Sequence, residues 1–161
     1  MEGTGSVVLK KATNFRMTDS HGQPYEFFDA LKKGPVVMAF YPGDFRIVCT
    51  KQLCNYRDNW EAFRELGIQV VGISPNPWEQ HAKFSSHYQF PFPLLSDPGG
   101  TVARIYGCTS LFMLGGVSRT TVVVSQAGVI LYRYVEPTTL THRKADELIG
   151  ILRDLRANNL V

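Results

Sequence analysis

Apolar positions along the chain fall into runs and spacings that predict alternating strands and helices. Residues 35–42, Pro-Val-Val-Met-Ala-Phe-Tyr-Pro, form a continuous apolar run of strand length, the pattern of a central strand covered on both faces. Beyond it, apolar residues recur at 49, 53, 56, 60, 63 and 66, a spacing that predicts one amphipathic helix over 49–66, closed by Gly67. Residues 68–73 predict a second buried strand. Residues 77–88 predict a second helix, with Asn76 as cap and Pro77 in the first turn. Upstream, residues 15–31 alternate loosely around the turn cluster His21-Gly22-Gln23-Pro24, which predicts a short hairpin followed by a one-turn segment at 27–32. Downstream, the turn Asp97-Pro98-Gly99-Gly100 leads into a short helix at 101–106. Residues 120–125 and 129–135 flank Gln126-Ala127-Gly128 as a hairpin, and 143–158 closes the chain as an amphipathic helix. This order predicts an α/β fold: one mixed sheet with helices on both faces and an N-terminal hairpin.

Composition narrows the function classes. With 161 residues the chain is expected to be a single domain, 1–161, and 44% apolar against 19% charged residues argues for a packed globular protein rather than disorder. The net charge of +3 comes from basic residues scattered without a long run, so nucleic-acid binding finds no support. No segment approaches the ~20 apolar residues of a membrane span, and the start lacks the pattern of a signal peptide, so the expected location is cytoplasmic. Three cysteines are too few and too unevenly spaced for a disulfide scaffold, which favours catalytic or redox use in a thiol-maintaining compartment.

Cys49 stands at the expected start of a helix behind an apolar strand. Unpaired N–H groups and the helix dipole stabilise an anion there, and a thiolate is the nucleophilic form of cysteine. Arg46 and Lys51 are near enough in sequence to supply a cation. The competing reading is a small buried apolar residue. Cys54 lies five residues on, which along an ideal helix separates the two Cα atoms by roughly 8.6 Å, whereas a disulfide tolerates at most about 7 Å. A bridge between them requires the first turns to unwind, giving two states, a reduced helix and an oxidised, locally unfolded one. No second cysteine pair or suitably spaced histidine supports a zinc site, so no metal is expected, and a thioredoxin-type dithiol would have its cysteines closer together. Cys108 reads as buried filler, with a resolving thiol as the alternative. Trp60 and Trp78 are expected to pack, and Tyr132 and Tyr134 share one face of a strand. His21, His81, His87 and His142 lack a paired carboxylate pattern and are expected at the surface.

The segment Phe40-Tyr41-Pro42, followed by Cys49-Thr50-Lys51-Gln52-Leu53-Cys54, resembles the signature of peroxiredoxins, in particular the atypical two-cysteine, bacterioferritin-comigratory-protein or Q-type branch. Residues 67–74, Pro93-Leu94-Leu95-Ser96-Asp97, Tyr106-Gly107 and Arg119-Thr120-Thr121-Val122-Val123-Val124 follow in the family's order. The resemblance implies a thioredoxin-like fold and reduction of hydrogen peroxide or organic hydroperoxides without metal, haem or flavin. It implies that Cys49 attacks the O–O bond and becomes a sulfenic acid, and that Cys54 condenses with it into a disulfide. Thioredoxin or a similar dithiol would reduce that disulfide, in a monomer or a homodimer. It further implies that Arg119 approaches the thiolate, that Gln52 is a supporting polar residue and that Pro42 shields the site. One position departs: Arg46 stands where the motif carries Thr or Ser, and arginine offers donors only. Arg46 is expected either to hold an anion beside Cys49 or to be a solvated loop residue. The function is accordingly a peroxidase, or alternatively a redox-sensing or partner-binding module with weak turnover.

Overall fold

The computed structural model describes residues 6–110, 116–136 and 144–161. In chain order its elements are β1 (Ser6–Lys11), β2 (Arg16–Asp19), β3 (Pro24–Glu26), α1 (Phe27–Leu31), β4 (Val36–Phe40), α2 (Ile47–Asp58), α3 (Trp60–Glu65), β5 (Gln69–Ser74), α4 (Trp78–Tyr88), β6 (Leu94–Ser96), α5 (Thr101–Ile105), β7 (Thr109–Ser110), β8 (Gly116–Val117), β9 (Thr120–Val124), β10 (Val129–Val135) and α6 (Ala145–Ala157). Eight strands form one mixed sheet in the order β1-β10-β9-β4-β5-β6-β2-β3, and β7 and β8 form a separate two-stranded ribbon.

Every residue of β4 is buried, as its unbroken apolar run requires of a central strand. Val37, Ala39 and the following Tyr41 face one core cluster with α2, α3, α4 and α6, while Val36, Met38 and Phe40 face another with α1 and α5. Helices therefore cover both faces. β4 runs parallel to β5, β5 parallel to β6, and β9 antiparallel to β4, so the ends of β4, β5 and β6 and the start of β9 meet at one edge. Gly72 permits close packing near that edge: a Cβ there would lie 2.7 Å from Leu94 Cδ2 and 3.2 Å from Tyr41 Cε1.

The N-terminal hairpin, the strand after Gly34-Pro35, the second buried strand and the late hairpin agree with the sequence reading. Several elements differ. The helix expected over 49–66 begins two residues earlier and is divided at Asn59, where φ −109° and ψ 19° leave the helical region. The Asn59 side chain donates to Asn55 O (2.8 Å), and Asn55 Oδ1 accepts the N–H of Ala145 (2.7 Å), so local amide bonding replaces a continuous helix and docks α6. Pro77 caps α4 rather than opening its first turn. β1 was not anticipated because its alternation is broken by an irregularity between Val7 and Lys10, with Leu9 at φ 56° and 62% exposed. β6 is three residues long, too short to carry a period. The last helix starts at Ala145; Arg143 and His142 lie outside the described residues. Trp60 packs against the core with its ring near those of Phe63 and Phe92, and Trp78 lies over Gly22 while remaining partly exposed. Tyr132 and Tyr134 are both buried in the same core cluster.

Candidate active site

The chain leaves the sheet edge at Tyr41, whose N–H donates to Ile73 O (2.9 Å), and crosses to α2 through residues 42–46. Arg46 has the extended backbone of an N-cap, and its carbonyl accepts the first helical bond, from Thr50 N–H (2.8 Å). Cys49 is thus the third residue of α2, among the N–H groups that have no partner inside the helix. Its side chain is wholly buried. The pairing of Phe40 with Thr120 carries Arg119, the residue just before β9, to the same place. Arg119 Nη2 donates to Cys49 Sγ at 3.1 Å, and the arginine is itself buried. The sulfur therefore lies between a guanidinium donor and the open N–H groups of a helix start.

Cys54 lies in the same unbroken helix and is half-buried. Burial raises its pKa above the ordinary thiol value, Arg57 opposes this, and Asp58 adds to it. All three cysteines are free. Cys108 is wholly buried, and burial pushes it up to about 12, in keeping with the filler role expected of it.

The structure separates the other predicted residues. Arg46 is exposed and its side chain folds back over Gly43, with Nε 3.1 Å from where a Cβ on that glycine would stand, beside Asn76 Oδ1. Its guanidinium has no hydrogen-bond partner among the described residues. Lys51 is also exposed. The cation on the sulfur is Arg119, and of the two expectations for Arg46 the solvated one fits. Pro42 is half-buried beside the loop. Gln52 is 1% exposed, on the inward face of α2 with Cys49, Leu53 and Tyr56, and its buried Oε1 has no hydrogen-bond partner among the described residues.

The surface role expected for the histidines holds for His21 and His87 but fails for His81, which is wholly buried. His81 Nδ1 meets Asp44 Oδ2 at 2.6 Å, and Nε2 meets the Leu95 carbonyl at 3.1 Å. The Tyr41 hydroxyl donates to the other oxygen, Asp44 Oδ1, at 2.6 Å. Burial, then the adjacent carboxylate, hold the Tyr41 hydroxyl well above its usual pKa. Asp44 and His81 are 37 residues apart, a pairing no local pattern reveals.

The AhpC/TSA family matches residues 8–133. The chain belongs to that family. Chloroplastic peroxiredoxin Q of Sedum lineare is 36% identical over 142 residues, covering 88% of this chain and 75% of that protein. The chain spans 56% of the length of the corresponding Oryza sativa protein. Among solved structures, peroxidoxin BcpB from Mycobacterium tuberculosis superposes with a TM-score of 0.83 at 34% identity, covering 93% of this chain and 98% of that one. The Xanthomonas campestris bacterioferritin comigratory protein shares the fold, with a TM-score of 0.81 at 24% identity. The chain is therefore a peroxiredoxin of the Q type, with a thioredoxin-like fold and thiol-dependent peroxidase function.

Proposed function

We propose that Cys49 is the peroxidatic and Cys54 the resolving cysteine, and that Arg119 is the group that readies the first for attack. The observation that carries this is the 3.1 Å contact between Arg119 Nη2 and the buried Cys49 sulfur at the start of α2. The thiolate attacks the terminal peroxide oxygen, the O–O bond breaks, and the departing alkoxide or hydroxide takes up a proton and leaves as alcohol or water. Cys49 is left as a sulfenic acid. The Cys54 sulfur then attacks the Cys49 sulfur, an S–S bond forms, and water leaves. Because both residues lie in one continuous helix, the first turns of α2 open for this step. A thioredoxin-like dithiol supplies the two electrons that restore both thiols. The cycle closes within one chain, so a monomer suffices. A cytoplasm kept reducing would supply the dithiol.

Arg46 leaves the site without the motif hydroxyl, and its exposed guanidinium cannot accept a proton from the peroxide. Gln52 Oε1, buried one turn after Cys49 and without a partner among the described residues, supplies an acceptor instead. Pro42 limits water at the loop side. Turnover is expected to persist at a rate below that of hydroxyl-bearing relatives. Mass spectrometry after one equivalent of hydrogen peroxide is expected to show a Cys49–Cys54 linkage. A Cys49–Cys108 linkage would transfer the resolving role to Cys108, and no consumption of peroxide would defeat the assignment.

A further inference from the structure

We infer that the buried Tyr41–Asp44–His81 cluster is a positioning device, a clamp that holds the first turn of α2 closed around Cys49 and thereby sets how fast Cys54 can reach it. The inference rests on the roles proposed above for the two thiols.

Asp44 sits midway along the loop that joins β4 to α2, and its two carboxylate oxygens and its N–H are tied to different parts of the fold. Oδ1 accepts from Tyr41 at the end of β4, and Oδ2 meets His81 on α4. Its N–H donates to Asn76 Oδ1 at 2.9 Å, and that amide oxygen also accepts from Ser74 Oγ at 2.9 Å, at the end of β5. His81 is anchored in turn on the Leu95 carbonyl of β6. Both ring nitrogens of His81 face oxygen acceptors, the Asp44 carboxylate at Nδ1 and the Leu95 carbonyl at Nε2. Asp44 and His81 have no exposed side-chain surface. Breaking this pair leaves a polar group buried without a partner, which folded proteins rarely tolerate.

The next residue shows what the clamp resists. Phe45 has φ 61°, a left-handed backbone that costs a residue with a side chain and persists only where its surroundings enforce it. Its ring lies 4.8 Å from that of Phe84, which is one turn after His81 on α4. One helix thus grips the loop twice, by the carboxylate and by the neighbouring ring. Arg46, the cap of α2, follows directly. Releasing Asp44 lets Phe45 relax, moves the cap, and frees the first turn that carries Cys49. Attack on peroxide needs that turn in place, whereas disulfide formation needs it open, so the clamp favours the first step and opposes the second.

Rapid mixing with hydrogen peroxide resolves the two steps as a phase linear in peroxide and a phase independent of it. Asp44→Ala is expected to slow the first about tenfold, in line with the cost of small misplacements of reacting groups, and to speed the second severalfold. Asp44→Asn retains an acceptor for Tyr41, and its amide can donate to Nδ1 of a neutral His81, so it is expected to restore most of both rates. Proportional slowing of both phases in Asp44→Ala, or an Asp44→Asn variant no better than Asp44→Ala, overturns the clamp. Tyr41→Phe removes one bond to the carboxylate and carries the same test, with smaller changes of the same sign, should Asp44→Ala fail to fold. Hydrogen exchange keeps the two ideas apart. The clamp predicts faster exchange at residues 47–50 with β4 and β9 unchanged, whether or not Cys49 turns over. Absence of peroxide reaction in the unaltered protein defeats the thiol assignment alone, and unaltered exchange at 47–50 defeats the clamp.

Discussion

Cys49 and Cys108 are both wholly buried, yet they occupy opposite chemical situations. Cys108 has its sulfur 3.5 Å from the Tyr106 carbonyl, which can only accept, and burial pushes its pKa up to about 12 despite help from Thr120 and Arg133. Cys49 has a buried guanidinium nitrogen at 3.1 Å and the open N–H groups of a helix start. At Cys108 the Thr120 hydroxyl and the Arg133 charge offset burial only in part, whereas at Cys49 a buried guanidinium donates directly to the sulfur. Burial in itself therefore says nothing about reactivity; the partner buried with the thiol decides.

The strongest way to break this contrast is substitution of each sulfur. Cys49→Ser is expected to reduce peroxide consumption by on the order of a thousandfold or more, because the alcohol is a far weaker nucleophile at neutral pH. Cys108→Ala should leave the rate constant unchanged, measured by stopped-flow on the same preparations. A loss in both variants would make Cys108 part of the cycle. Next in size is the donor. A hydrogen bond to a charged group contributes about 1.5–3 kcal/mol, so Arg119→Leu is expected to slow the peroxide step by roughly ten- to a hundredfold. Single-turnover kinetics at several peroxide concentrations would measure it. An unaltered rate would assign all thiolate stabilisation to the helix start.

How much of this contrast was legible in the sequence follows from the range of each interaction. The run Val36–Phe40, the spacing behind α2 and the hairpins depend on near neighbours, and their periods stand in the sequence. Cys49 and Cys54 could be placed on one helix for the same reason. Arg119 lies 70 residues from Cys49, and only the family resemblance brought it to the site. The burial of His81 against Asp44, the division at Asn59 and the turn of Arg46 over Gly43 depend on contacts between elements or on side-chain direction, which no period encodes. Arg46 is the sharpest case: its position next to the cysteine suggested a cation for the sulfur, but the side chain of a cap residue is free to leave the helix axis, and here it lies over the loop.

Arg46→Thr sharpens the comparison by a smaller amount. It restores a hydroxyl where the signature expects one, and a threefold to tenfold rise in the peroxide rate is expected from one added neutral hydrogen bond of about 1 kcal/mol. The companion Gln52→Leu, which removes that buried acceptor, should lower the rate by a similar factor. If Gln52→Leu is silent while Arg46→Thr accelerates, the acceptor role of the glutamine fails and the hydroxyl alone matters.

The smallest effect at neutral pH concerns Cys108 and appears only in alkali. In the folded chain its thiol stays protonated up to about 12, whereas in the unfolded chain it ionises at its ordinary value of 9.0. Above pH 9 the unfolded state therefore holds fewer protons, and stability falls as pH rises through 9 toward 12. By pH 10 the loss from this single group is about 1 kcal/mol, since each unit of difference corresponds to ~1.36 kcal/mol. Below pH 9 the contribution is fully retained. Urea unfolding at pH 7.5 and pH 10 should show that difference in the unaltered protein and lack it in Cys108→Ala, with m unchanged. Equal alkaline losses in the two proteins would mean that Cys108 is not held as a neutral thiol, and that the distinction between the two buried sulfurs is weaker than their surroundings indicate.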